Sequence, residues 1–344
     1  SPFLSYGINE KNIKWINQFV DSIDLMKLKI RNFAKILKAD IEVDGITIIA
    51  GNNNIGKSTV GKILDAVFNA SYNIDEKMEK ARMDSLASML RNEVENNRDK
   101  INVRGRHYSM MTYRQFAKEL LECKKEEREE ICKEYERRMI SEVKQEANFV
   151  EKILEHLEEN KQISDKNFSK AIYTNYFGES FHEQINSLYY EEKPAEVVLT
   201  IKGKNIQLIF ENDECIQEER QLNILNTSLY IDDPFVLDEM NNSSLFGISE
   251  LSIHKRNILQ KLTQKEDKAV EEKTFSNLLV VNKLEDIMQV IDCVADGKIT
   301  KKQKYVYQMS GDSSEEIDVA SLSTGLKAFL ILKQILLNGK LHDK

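Results

Sequence analysis

The order of apolar and polar residues divides the chain into stretches of different period. Between residues 12 and 23 apolar side chains recur at Ile13, Ile16, Val20 and Ile23, with Trp15 and Phe19 beside them. That spacing predicts an amphipathic helix of about three turns. Residues 27–33 alternate instead, through Leu28 and Ile30, and residues 39–43 do so through Ile41 and Val43, which predicts two short strands. Residues 46–50 (ITIIA) form a continuous apolar run of strand length, suited to the buried centre of a sheet. After a turn at 51–56, Val60, Ile63, Leu64, Val67 and Phe68 share one helical face within residues 58–69.

The pattern then changes. No proline lies between Pro2 and Pro194, and no glycine between Gly105 and Gly178. From 114 to 161 charge is dense and apolar residues recur at helical steps, among them Ile131, Tyr135, Met139, Val143, Val150, Leu154 and Leu157. As one helix that stretch would span about 70 Å. A protruding helical hairpin and a compact bundle both satisfy it. Strands return after 194: residues 196–201 and 205–210 flank Gly203 as a hairpin, and 228–231 read as an apolar strand ending at Asp232-Asp233-Pro234. Helices are predicted over 253–264 and 274–294, strands over 299–309 and 315–319. The closing helix, 324–337, carries Leu326, Phe329, Leu330, Leu332, Ile335 and Leu336. The organisation expected is an extension (1–25), a first strand-and-helix portion (26–74), a helical insertion (75–192) and the remainder of the core (193–344).

Composition narrows the function. The chain has 344 residues, 41% hydrophobic and 31% charged, with a formal charge of −8. Such a balance argues against broad coating of nucleic acid and leaves only a local basic groove open. Thirteen glycines and three prolines are few for this length, which favours long helices over a β-sandwich or disorder. Four cysteines in no C-x-x-C pair, and five scattered histidines, argue against a zinc site or disulfide framework and for a reducing cytoplasm. No apolar run reaches the roughly 18 residues that span a bilayer, and no basic-then-apolar leader opens the sequence. No membrane partner is therefore expected.

The strongest chemical signal is Gly51-Asn52-Asn53-Asn54-Ile55-Gly56-Lys57-Ser58-Thr59, which fits G-x-x-x-x-G-K-[ST] between a strand-like run and an amphipathic helix. Backbone N–H groups of such a loop converge on phosphate, and the helix adds its positive end. Lys57 would reach the β- and γ-phosphates, and the Ser58 hydroxyl would ligate Mg²⁺. The glycines permit close approach, and Asn54 tolerates a left-handed turn. Near the other end stands Leu322-Ser323-Thr324-Gly325-Leu326-Lys327, by itself also a plain helix start with Ser323 as N-cap.

Together, Ile30-Arg31-Asn32-Phe33, the 51–59 loop and Ser321–Lys327 resemble the α/β P-loop NTPase heads of ABC type found in SMC, RecF and RecN proteins. More specifically they resemble the overcoming-lysogenization-defect-like AAA ATPases of anti-phage operons such as Septu and retron-linked systems. The resemblance covers about 26–74 and 195–344. It implies a mixed β-sheet lobe and an antiparallel β lobe, interrupted by the large α-helical insertion. It implies ATP and Mg²⁺ as ligands, and a homodimer of heads sandwiching ATP, with Ser323 and Gly325 of one copy capping the γ-phosphate held by the other. It places Arg31 and Asn32 beside the adenine or ribose. Phe33 suits that place or the core equally, and Lys327 is either part of the signature contact or turned to solvent. A nuclease or other effector is the implied partner, and nucleic acid stays open as one.

The sequence departs from the family after Ser323. Related heads continue to an apolar Walker B strand ending in Asp-Glu, which supplies a Mg²⁺ carboxylate and the catalytic base. No such strand is found in residues 324–344, and Asp343 sits in a polar stretch, so no catalytic residue is assigned. Tyr230–Asp238 (YIDDPFVLD) is a candidate for a Mg²⁺-sensing segment or a plain loop. Asp232 as the Mg²⁺ carboxylate of another P-loop class is the competing reading. A DNA-repair ATPase and a nucleotide-binding scaffold without turnover are the alternatives in function. No N/T-K-x-D guanine signature supports a GTPase. Glu126, Glu127, Glu129 and Glu130 read as a solvated helix face, and Lys298, Lys301, Lys302 and Lys304 as lysines guarding an edge strand.

Overall fold

The computed structural model describes residues 26–44, 47–99, 101–103, 109–143, 148–187, 189, 193–242, 251–263, 287–310 and 316–338. In chain order the main elements are β1 (Met26–Phe33), β2 (Ile36–Val43), α1 (Lys57–Ser71), α2 (Ile74–Asn96), β3 (Ile101–Val103), α3 (Met110–Glu122), α4 (Arg128–Met139), β4 (Ile140–Val143), α5 (Phe149–Gln162) and α6 (Asp165–Phe181). They continue with β5 (Ala195–Ile201), β6 (Lys204–Glu211), β7 (Glu214–Arg220), α7 (Ile253–Thr263), β8 (Lys298–Lys301), β9 (Tyr305–Gln308), β10 (Glu316–Asp318) and α8 (Thr324–Leu337). The chain forms two units: one takes residues up to 48 with 70–175 and 184–225, the other 49–69, 176–183 and the residues from 226 onward.

The first unit is built on a five-stranded sheet of order β2-β1-β5-β6-β7. Alternation sets its register. Met26 pairs with Val43 on one side and Ile201 on the other, so Leu28, Ile30, Val197, Leu199, Ile206 and Leu208 are buried together. Phe33 meets Phe210 edge to face, with ring centroids 6.3 Å apart. Gly203, at φ 78, makes the β5–β6 turn. All pairs in the three sheets are antiparallel, so the parallel strands of the expected mixed lobe are not among the described residues. Strand β7 escapes a hydrophobic reading because it is an edge strand, ECIQEER, with Cys215 its one buried side chain.

The described residues of 74–162 pack as several helices rather than one rod. The long helical period breaks where Ile140 turns extended and β4 pairs with β3. Leu86, Leu90, Phe116, Cys132, Ile153 and Leu157 share a core, in which the Phe116 and Tyr135 rings stack at 3.9 Å. Arg82 joins α2 to the end of α5, donating to the carbonyls of Asn160 (2.6 Å) and Ile163 (2.8 Å); a cation there satisfies the last carbonyls of the helix. The acidic run at 126–130 is exposed, with Glu129 paired to Lys133 and Glu130 to Arg137.

The second unit carries the 51–56 turn and the start of α1. Its core gathers Val236, Leu237, Ile258, Val319, Leu330 and Ile331 between the 3₁₀ turn Pro234–Asp238, α7, α8 and the sheet β10-β9-β8. Asn338 ties the end of α8 to that of α7, donating to the carbonyls of Lys261 (2.9 Å) and Leu262 (2.8 Å). β8 is an edge strand with Lys298 and Lys301 exposed, and Lys302 pairs with Glu316.

Several expected elements differ. Residues 47–50 form no ladder among the described residues, and Ile48 is 84% exposed. Residues 228–231 form no ladder; Ser228 instead bonds to Asp65 and Asn69 of α1. The strand expected over 299–309 is a hairpin, bent at Lys302–Lys304. The helix of 12–23 and residues 274–286 lie outside the described residues, while 287–292 are helical.

Phe116→Ala removes a stacked, buried ring and should cost about 3–5 kcal/mol. Urea unfolding followed by circular dichroism measures it; an unchanged midpoint would mean that this core does not support the helices.

Candidate nucleotide-binding site

Each special residue of the 51–59 loop has a local reason. Gly51 lies at φ 155 and Gly56 at φ 95, and Asn54 takes the left-handed turn at φ 68. A Cβ on Gly51 would stand 2.5 Å from the Ile55 side chain. Gly51, Asn52, Asn53, Asn54 and Ile55 are all exposed. The Lys57 ammonium folds back over the loop, donating to the carbonyls of Gly51 (2.8 Å) and Asn52 (2.5 Å). Val60 donates to the Gly56 carbonyl at 3.2 Å, so the helical ladder begins after Lys57, Ser58 and Thr59, whose amides head α1. The first turn of α1 holds no acidic residue, and the positive end of the helix is not neutralised from within.

Ser58 is exposed. The Tyr230 ring lies on Gly61, where a Cβ would come within 2.8 Å of Cε2. Burial, with the nearby Asp232 carboxylate, pushes the Tyr230 phenol up. Deeper along α1, Asp65 is buried and accepts from Ser228 Oγ (2.7 Å) and Asn69 Nδ2 (2.8 Å). His254 Nδ1 of α7 lies 3.0 Å from the second oxygen of Asp65, and the His254 ring meets Tyr230 edge-on at 5.0 Å. Asp233 accepts from the Phe235 amide (2.9 Å) and pairs with Lys255 (3.0 Å). Burial opposes its charge, but Lys255 and that amide hold the carboxyl below the usual range. Asp232 is exposed.

The Leu322–Lys327 segment belongs to the same unit. Ser323 is the N-cap of α8, accepting from the Leu326 amide at 3.4 Å. Gly325 is exposed, and a Cβ there would meet nothing within 4 Å. Lys327 does not face solvent: it is 1% exposed, donates to Asp238 (2.6 Å) and the Ala320 carbonyl (3.0 Å), and lies over the Phe235 ring. Arg31 and Asn32 belong to the other unit. Arg31 is spent on its own hairpin, donating to the carbonyls of Ile30 and Ala39 and pairing with Asp40 at 2.6 Å. That guanidinium holds the Asp40 carboxyl below the usual range. Asn32, at φ 48, donates to the Pro194 carbonyl, and Phe33 is core.

Gly61, Asp65 and His254 were not singled out in the sequence, and Tyr230 entered only as the start of the Tyr230–Asp238 segment. The one signal was a carboxylate, Asp65, on the apolar face of a helix, with Gly61 and Ser58 on the same face. Among the described residues no group of three or more His, Cys, Asp or Glu could hold a metal ion, and no helix is long and apolar enough to cross a membrane.

The model of the AAA ATPase domain family matches residues 24–340, and the chain belongs to that family. Comparison with curated proteins and with solved structures gives no match. Membership makes the chain a nucleotide-binding ATPase, of a class that generally uses ATP with Mg²⁺.

Because the folded-state Asp233 carboxyl titrates below its ordinary 3.8, its contribution is present above that value and lost as pH falls through the folded one. Asp233→Asn should cost about 0.5–1 kcal/mol at neutral pH and flatten the acid limb below pH 3.8. Thermal melts across that range measure it; parallel wild-type and variant curves would remove the pair from the account.

Proposed function

We propose that the chain is an ATP-operated head, in which the amides of residues 51–59 and the Lys57 ammonium hold the terminal phosphates of ATP. The observation that carries this reading is the exposed glycine loop at the positive end of α1, whose first turn holds no acidic residue. Lys57 already lies over the loop carbonyls, close to where a phosphate anion would sit. The Ser58 hydroxyl is exposed, an oxygen donor suited to a Mg²⁺ whose other ligands are phosphate oxygens and water. Bound Mg²⁺ would neutralise and orient the β- and γ-phosphates.

Two copies then close head to tail over ATP. Ser323 and the amides opening α8 cap the γ-phosphate held by the other copy. Gly325 supports this reading, since no packing among the described residues calls for a glycine there and a body approaching from outside would. ATP thus favours the closed pair by differential affinity, and the pair acts as a switch for an effector such as a nuclease directed at nucleic acid. Anti-phage defence is the setting drawn from the family resemblance.

Calorimetry with ATP and Mg²⁺ tests the loop: Lys57→Ala should weaken binding at least about tenfold, the worth of a charge-assisted contact. Light scattering tests the pair. Ser323→Arg should abolish ATP-dependent dimerisation while each monomer still binds ATP; a variant that dimerises normally removes the signature role. Binding without turnover would make the chain a scaffold, and preference for GTP would move it to another P-loop class.

A further inference from the structure

Helix α8 carries its charges inside and hydrocarbon outside. Its two charged residues, Lys327 and Lys333, are buried with Leu330, Ile331 and Ile335. With about 100° between successive residues, Gly325, Ala328, Phe329, Leu332 and Leu336 share an arc about 100° wide on the other side. Gly325 is exposed, Phe329 and Leu332 are each 38% exposed, and Ala328 and Leu336 are half-buried. Nothing polar interrupts them. A single exposed hydrophobic residue is ordinary, but an unbroken stripe along a helix marks a contact surface.

The position of the stripe indicates what covers it. It opens at Gly325, two residues past the Ser323 cap, and Phe329 stands about 9 Å further along the axis than Ser323. A cap made of one hydroxyl and the amides opening a helix buries little surface, whereas a specific protein interface buries roughly 1,200 Å² or more. A pair of heads joined at Ser323 therefore needs further contact, and the stripe is apolar surface continuous with that point. The other half of the proposed site has a matching rim. Ile49, just before the phosphate loop, and Ile55, within it, are 42% and 54% exposed. Residues 49–56 hold no charged side chain, in a chain that is 31% charged. Closing the two surfaces together removes hydrocarbon from water without stranding an ion.

We propose that the stripe seats a second copy of the chain: when two heads close over ATP, Gly325, Phe329 and Leu332 of one pack against the apolar rim, Ile49 and Ile55, beside the phosphates held by the other. Gly325 lets the two surfaces approach closely, and Phe329 is the anchor. The inference rests on the head-to-tail pair proposed above and adds the contact that holds it.

The test is light scattering of the full chain with Mg²⁺ and a non-hydrolysable ATP analogue. Circular dichroism and calorimetry on the same samples read folding and analogue binding. Phe329→Ala should weaken analogue-dependent pairing about tenfold, as loss of an aromatic anchor does. Phe329→Glu and Leu332→Lys should leave folded monomers that bind the analogue as the Ser323→Arg monomer does. The two add opposite charges, so a common loss reports burial rather than repulsion. Wild type that pairs with the analogue, with Phe329→Ala and the charged variants pairing equally well, overturns this inference, keeps the head-to-tail pair and leaves the stripe to a different protein. Wild type that binds the analogue yet stays monomeric overturns the pair and this inference together. Pairing without nucleotide that both charges abolish also overturns it, since the stripe would then be a permanent contact.

Discussion

A carboxylate buried within a helix needs a partner for each lone pair it hides. Asp65 meets that demand with Ser228 and Asn69 on one oxygen and His254 on the other. Those partners come from α1 itself, from the irregular strap after 226 and from α7. The helix that starts at the phosphate loop is thus joined to two sequence-distant segments by groups that cannot be withdrawn without stranding a charge. The packing at Gly61 depends on this, because the strap that Asp65 anchors also lays the Tyr230 ring there.

The same segment continues, through Asp233 and its Lys255 partner, into the 3₁₀ turn Pro234–Asp238 and so to Lys327 of α8. Polar contacts therefore run from the helix behind the glycine loop to the helix that Ser323 caps, each between named side chains. Most are partly buried, where water screens them less. A buried ion pair is weak evidence for stability, since desolvation offsets most of its attraction. Its better attested effect is to specify which surfaces meet.

Much of this was legible in the sequence where one physical rule acted alone. Alternation gave β1 and the β5–β6 hairpin, and the glycine and lysine spacing gave the loop and the helix after it. The reading failed where rules competed. Helical period over 114–161 ran through Met139, but Ile140 and Val143 are β-branched and pair with β3. The run 228–231 is apolar enough for a strand, yet its neighbours are side chains of α1 rather than a sheet edge. Residues 47–50 have the composition of a central strand without a ladder among the described residues. Buried lysines defeat pattern reading altogether. Lys327 and Lys333 interrupt the buried side of α8 and look like solvent positions until their carbonyl and carboxylate partners are seen.

Those two lysines also restrict how α8 can move. A helix packed only through leucine and isoleucine could roll by a few tens of degrees and exchange one hydrocarbon contact for another. Here rolling would pull Lys327 from Asp238 and Lys333 from the Ala295 and Gly297 carbonyls, leaving ammonium groups in an apolar interior. Sliding together with the turn at 234–238 keeps the first of those pairs intact. The helix that begins at Ser323 is therefore keyed against rotation, and the exposed glycine at its head always presents the same side to whatever approaches it.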